Sequence, residues 1–275
     1  MSDLLLSEEL RELARRARDS SGELIYLDVG VRDGLAPTWN ALARAGLVKA
    51  YGFDPAADHV AELASQTGSI EYLPIALGDY NGRRRLIHTF MPGCSSFLEP
   101  NAELLRTYPA SKIFEVVGES EVEVRTLDHL VSTNIVPAPR ILKLDTQGFE
   151  LPILKGALGV LPNVVCLELE TQFKPIYRGQ ALFPEVNAFL DEQGFILRQL
   201  VANGPYEGEF LEANAFFSRR PSLNEDLNLI RLWQVACEVE SPKFLAQMDD
   251  WHPSWRSYLT PEQVELRQRL FGPLR

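Results

Sequence analysis

Residues 24–34, "LIYLDVGVRDG", form an apolar run that closes on an acidic residue and opens into two glycines four apart. In an open α/β sheet a strand of this kind ends where ligands bind, and the glycine turn lets the backbone approach a cofactor. The residues between the glycines narrow the choice of cofactor. A dinucleotide fingerprint reads G-x-G-x-x-G, whereas here Gly30 is followed by Val31, Arg32, Asp33 and Gly34. Arg32 stands where the second glycine would be, and its side chain takes the space a pyrophosphate needs. Asp33 adds a negative charge near a helix N-terminus that would otherwise attract phosphate. S-adenosylmethionine carries an ammonium, a sulfonium and a carboxylate but no phosphate, and it fits this loop better. Asp28 can face its cationic end, beside Gly30 and Gly34.

The neighbouring sequence extends the pattern. "YGFDP" (51–55) ends a second apolar run on Asp54, 20 residues beyond Gly34, where a carboxylate accepts hydrogen bonds from a ribose diol. Each acid also has a structural reading: Asp28 as a turn residue, and Asp54 before Pro55 as a helix N-cap. Together, at the tips of consecutive strands, they point to a ligand.

Strand patterns recur at 24–29, 48–53, 70–75, 139–145, 163–170, 195–201 and 214–218, with helical patterns at 36–45, 55–65, 149–158 and 182–193. This alternation predicts βαβ units in a doubly wound, mostly parallel sheet. Residues 82–126 break the rhythm: Asn81-Gly82 predicts a hairpin turn, "RRRLIHTF" and "EVEVRTL" added strands, and "MPGCSSFLEPN" an irregular loop. An insertion placed there is suited to substrate-specific parts. Beyond residue 220, "PSLNEDLNLIRLWQVACEVE" has helical spacing, and "TPEQVELRQRLF" opens with Thr260 as N-cap, Pro261 and Gln263 in a capping box. Trp233, Trp251 and Trp255 fall in this tail, which must bury apolar surface on its own domain, in a dimer contact or as a lid.

Composition excludes several classes. A chain of 275 residues, 45% hydrophobic and 24% charged, is globular. No apolar run reaches the ~18–20 residues of a membrane span, and the mixed charges of "MSDLLLSEELRELARRARDS" differ from a signal peptide; the protein is read as cytoplasmic and without a membrane partner. Cys94, Cys166 and Cys237 are odd in number and lack a C-x-x-C or a His at ligand spacing, which predicts reduced, structural thiols. A net charge of -11 argues against a nucleic-acid partner.

In order along the chain, "LDVGVRDG", "YGFDP", "PIALGD", "CSSF", "RTLDHL", "ILKLDTQGFELPILKGA", "LELE" and "YRGQALFPEVNAFLDEQGF" resemble the FkbM-type methyltransferases over residues 22–219. The most specific part is "LKLDTQGFELPILKGA", which is similar to the family's D-x-x-G-x-E-x-x-x-L-x-G-A signature. The resemblance implies a class I, Rossmann-like, S-adenosylmethionine-dependent methyltransferase acting on hydroxyls of sugars or natural-product-like small molecules, and Asp79 of "PIALGD" joins the cofactor candidates. Arg32 departs from the small polar residue many members carry. The organisation is then an N-terminal helix (1–21), the Rossmann-like domain (22–220, insertion about 80–126, with an inserted β-hairpin) and a C-terminal helical extension (221–275), through which a homodimer could form.

A hydroxyl attacking a sulfonium methyl must lose its proton. Three acceptors are candidates: Asp145 at the end of the fourth main strand, Glu170 at the end of the fifth, where it alternates with Glu168, and His88 in the insertion. A divalent cation held by Asp145 and Glu170 is the less favoured alternative, because two carboxylates without a third ligand make a thin site. Glu150 reads as a cap or ion-pair partner near the helix at 149. Ser95, Ser96, Tyr177 and Gln180, with Arg178, offer a hydrogen-bonding edge to a hydroxylated acceptor. Two rivals remain: a methyltransferase-like binding protein without turnover, and an NAD(P)-dependent oxidoreductase, against which Arg32 speaks.

Overall fold

The computed structural model describes residues 6–66, 68–204, 206, 208–219 and 227–239. The first half runs α1 (Glu8–Ser21), β1 (Ile25–Val29), α2 (Pro37–Arg44), β2 (Lys49–Phe53), α3 (Ala57–Gln66) and β3 (Ile70–Leu73). An inserted stretch follows, with β4 (Ala76–Leu77), β5 (Gly82–Thr89), α4 (Ala102–Leu105), β6 (Val116–Arg125) and α5 (Leu127–Ser132). The second half is β7 (Ile141–Leu144), α6 (Glu150–Lys155), β8 (Cys166–Gln172), α7 (Phe183–Glu192), β9 (Phe195–Asn203), β10 (Glu212–Arg219) and α8 (Leu227–Ala236).

Seven strands form one sheet in the order β3-β2-β1-β7-β8-β10-β9, in which β10 runs antiparallel to both neighbours. The remaining pairs are parallel. The chain winds outward from β1 to one edge, returns, and winds outward from β7 to the other. The switch point therefore falls between β1 and β7, and a crevice opens beyond their carboxyl ends. This is the doubly wound, mostly parallel sheet that the strand and helix patterns predict, in the Rossmann-like form that the resemblance implies.

Every residue of β1 is buried because the sheet is covered on both faces. Ile25, Leu27 and Val29 pack with Leu142, Leu144, Phe149 and Ile153 on one face. Tyr26 turns to the other, stacked on Trp39 at 4.6 Å between ring centroids. There it joins Leu13, Ala14 and Ala17 of α1 and Leu229, Leu232 and Trp233 of α8. Ser7 caps α1 by accepting a hydrogen bond from the Leu10 amide at 3.2 Å. Trp233 thus packs on its own domain, whereas Trp251, Trp255 and the capping box at Thr260 lie outside the described residues.

The insertion differs in one connection. Strands β5 and β6 do pair antiparallel, but the Asn81-Gly82 turn does not join them, because β6 lies between β4 and β5. Asn81 instead accepts a hydrogen bond from the Thr126 amide at 2.9 Å, fastening the start of β5 to the start of α5. Pro74, which has no N–H to donate, separates β3 from β4 and lets the run at 70–75 change sheets.

Candidate active site

The tips of β1 and β7 are joined closely. Asp145 N donates to Val29 O at 2.9 Å, and Gly30 N donates to Phe53 O at 2.9 Å. Gly30 has φ +89°, and a Cβ there would sit 1.8 Å from the Asp145 carbonyl oxygen. The glycine is required by the neighbouring strand, whatever ligand lies above it.

Above these tips lies a cavity of about 380 Å³. Phe53, Ile75, Ala76, Leu77, Phe97 and Phe149 are among its apolar lining. The rings of Phe97 and Phe149 meet edge to face at 5.0 Å, and the Arg84 guanidinium of β5 lies 4.5 Å from the Phe149 centroid. Polar groups enter at separate points: Arg32 and Asp54, Asp145 and Gln147, and His88, Thr89, Ser95 and Ser96 from the insertion. Asp54 Oδ1 accepts from the Ala56 amide at 2.8 Å, a capping bond that uses one of its two oxygens. His59 donates to the Arg32 carbonyl, which ties the first loop to α3.

The segment 145–150 is built around Glu150. Its Oε1 accepts from Thr146 N at 2.8 Å, Thr146 Oγ1 at 2.9 Å and Gly148 N at 3.3 Å. Gln147 and Gly148 have φ of +57° and +91°, the left-handed turn that points these amides at one carboxyl. Among non-glycine residues that conformation is uncommon and costs on the order of 1–3 kcal/mol. A family model described as the methyltransferase FkbM domain matches residues 28–197, which span both this segment and the β1 loop.

The chain belongs to the FkbM methyltransferase family. Among curated proteins none matches. Solved structures similar to it include magnesium protoporphyrin IX methyltransferase from Synechocystis PCC 6803 with bound S-adenosylmethionine, at 12% identity over 78% of this chain and 79% of that one, TM-score 0.39. Others are the N-methyltransferase NodS from Bradyrhizobium japonicum WM9, at 10% identity over 78% and 96%, TM-score 0.38, and the Burkholderia thailandensis 1,6-didemethyltoxoflavin-N1-methyltransferase, at 10% identity over 78% and 79%, TM-score 0.38. By family and fold the FkbM protein is an S-adenosylmethionine-dependent methyltransferase.

Within this FkbM domain, Gly30, Asp54, His88, Ser95, Ser96 and Asp145 share the cavity, and the other site residues expected from the sequence lie elsewhere. Asp28 is fully buried on the far side of β1, where Lys143 donates to Oδ1 at 3.2 Å and Tyr26 to Oδ2 at 3.1 Å. Burial pushes its carboxyl up and Lys143 opposes that shift. Gly34 lies outside the cavity, beside Leu63 and Tyr72. Asp79 is exposed, with its backbone against Gly156. Tyr177 and Gln180 are buried props: the Tyr177 hydroxyl lies 2.8 Å from both Cys94 O and Gln147 Oε1, and Gln180 joins Gln172 at 2.8 Å and the Tyr177 amide.

Glu170 is also behind the wall. The residue is 5% exposed, and its carboxyl accepts from Gln147, Gln172 and Asn203. Burial, then the charges of Asp145, Glu212 and Glu150, holds it well above the usual carboxylate range. His88, by contrast, is on the cavity, with Nε2 2.8 Å from Ser120 Oγ. Among the described residues no group of three or more His, Cys, Asp or Glu side chains is placed to hold a metal ion. Nor is any helix there long and apolar enough to cross a membrane.

Sequence reasoning missed Gln147 and the aromatic walls Phe53, Phe97 and Phe149. "DTQG" carried a signal for the first, since a turn that ends in glycine after a strand tip invites a left-handed residue.

Proposed function

We propose that the protein transfers the methyl group of S-adenosylmethionine to a hydroxyl oxygen of a sugar or natural-product-like small molecule. The observation that carries this reading is the Asp145 carboxylate at the tip of β7, opening on the same cavity as Asp54 and the insertion residues His88 and Ser95. The lining suits a cationic cofactor without phosphates. Its charged groups are two carboxylates, Asp54 and Asp145, and one arginine, Arg32. When bound, the cofactor supplies an electrophilic methyl group.

The residues of the chain do the rest. Asp54 holds the ribose diol with the oxygen its cap leaves over. Phe53, Phe97 and Phe149 exclude water and fix the acceptor in line, an effect that can supply up to ~7–11 kcal/mol. Asp145 takes the hydroxyl proton at a carboxylate oxygen as the new oxygen–carbon bond forms. Such a base contributes about 10²- to 10⁴-fold in rate. His88, Ser95 and Ser96 lie on the acceptor side, on the insertion.

The test is incubation with methyl-labelled S-adenosylmethionine and a panel of monosaccharides, glycosides and hydroxylated lactones, followed by mass spectrometry and NMR of the products. An O-methyl product is expected, and its yield should survive a chelator because no step uses a metal. Methylation confined to nitrogen, or chelator loss restored by Mg²⁺, would contradict the reading. Binding of S-adenosylhomocysteine without transfer to any hydroxyl would leave a binding protein.

A further inference from the structure

Gln147 has an unusual combination of constraint and connection. Its backbone is left-handed, yet nothing in its side chain is needed to hold it so. Glu150 gathers the amides on either side, and Ser96 Oγ donates to the Gln147 carbonyl at 2.7 Å. The side chain is free for another purpose, and each of its polar atoms is engaged. Nε2 donates to Asp145 Oδ1 at 3.1 Å and to Glu170 Oε2 at 2.6 Å. Oε1 lies 2.8 Å from the Tyr177 hydroxyl, whose single proton also faces the Cys94 carbonyl at 2.8 Å. The Nε2 end of the amide faces two carboxyl groups and the Oε1 end faces a hydroxyl. The group stands between an accessible carboxylate on the cavity and a buried one behind it.

We propose that Gln147 is a positioning residue for Asp145: its amide fixes the carboxylate toward the cavity and keeps it apart from Glu170. Lys143 reaches Asp145 Oδ2 only at 3.9 Å and is already bonded to Asp28, so the 3.1 Å amide contact is the bond that orients the group. Other charges act on Asp145 from every side: Lys143 beside it on β7, Asp28 on β1, Glu150 on α6, Glu168 and Glu170 on β8, and Glu212 on β10. Most are acidic. Without the amide, Asp145 loses a hydrogen-bond donor that favours its charged form.

The role of Asp145 as base rests on the O-methyl-transfer reading, and the test is chosen to read Gln147 without it. The variants are Gln147→Met, which keeps the reach and removes both donors, Gln147→Glu, which adds a charge, and Tyr177→Phe, which removes the hydroxyl beside Oε1 together with its contact to Cys94 O. Aspartate-labelled ¹³C NMR follows the Asp145 carboxyl through pH, its signal assigned by loss in Asp145→Asn. The titration midpoint should rise by about one pH unit in Gln147→Met, further in Gln147→Glu, and in the same direction but less in Tyr177→Phe. Should Gln147→Met fail to fold, the Tyr177→Phe shift decides. With an alcohol that the protein methylates, kcat should fall while KM stays. An Asp145 titration unchanged across the folded variants would overturn the proposal. If no alcohol is methylated, the O-transfer reading fails while the titration still answers for Gln147.

Discussion

Asp54 and Asp145 reach the cavity while Asp28 does not, and the difference lies in the pleat. Along β1, Ile25, Leu27 and Val29 face α6 while Tyr26 and Asp28 face α1 and α8. A carboxylate one residue from the strand end is thereby committed to the covered face, where Lys143, 115 residues away, balances its charge. The local sequence shows that an acid stands there but not which face it takes or which partner it finds. Asp145 follows the last residue of its strand and escapes the pleat, so its place at the mouth was legible. For that residue we predict that Asp145→Asn, with cofactor and acceptor still bound, lowers turnover by about 10²- to 10⁴-fold and leaves a residual rate that grows with pH as the hydroxyl ionises. His88→Ala, assayed beside it, should lose far less. Near-normal turnover in Asp145→Asn with collapse in His88→Ala would move the base to the insertion.

At the scale of elements, the seven main strands and four intervening helices were legible because period and punctuation are local properties. The insertion was harder. Its strands β5 and β6 are there, but β6 enters between β4 and β5 through pairing across 27 or more positions, as between Arg83 and Glu123, and no turn residue announces such pairing. Tyr177 and Gln180 stand just before α7 as a polar edge in the sequence, yet the fold turns both inward to brace β8 and the loop of Cys94. Packing of this kind also stores a pH dependence. Burial pushes Glu150 on α6 and Glu168 on β8 up to about 7 from an ordinary 4.5. Between those values the folded protein holds protons that the unfolded chain has released, so stability is full below the lower value and falls as pH rises toward the upper one. Urea midpoints should therefore be lower at pH 7.5 than at pH 5. Glu168→Gln should shrink that difference by on the order of 1–3 kcal/mol; an unchanged difference would show that this carboxyl titrates alike in both states.

The whole molecule divides its work between the two faces and the tips of one sheet. On the face away from α6, α1 and α8 close over Trp39, Tyr26 and Phe216, with Trp233 fully buried among them. Truncating it in Trp233→Ala should cost about 3–5 kcal/mol of stability, read as a lower urea midpoint, while the cofactor affinity of the folded fraction stays the same because the cavity lies beyond the strand tips. A loss of affinity without a loss of stability would place that tryptophan in the site instead. The claim on which the rest depends is that this tip cavity holds S-adenosylmethionine, with Asp54 on its ribose. The most direct measurement is calorimetric titration of S-adenosylmethionine, S-adenosylhomocysteine and NAD into the natural protein and into Asp54→Ala. The first two should bind, NAD should not, and Asp54→Ala should weaken both by tenfold to a hundredfold, about 1.5–3 kcal/mol for one charge-assisted hydrogen bond. Unchanged affinity in a folded Asp54→Ala would reduce Asp54 to the cap of α3, and tight binding of NAD would make the cavity a dinucleotide site instead.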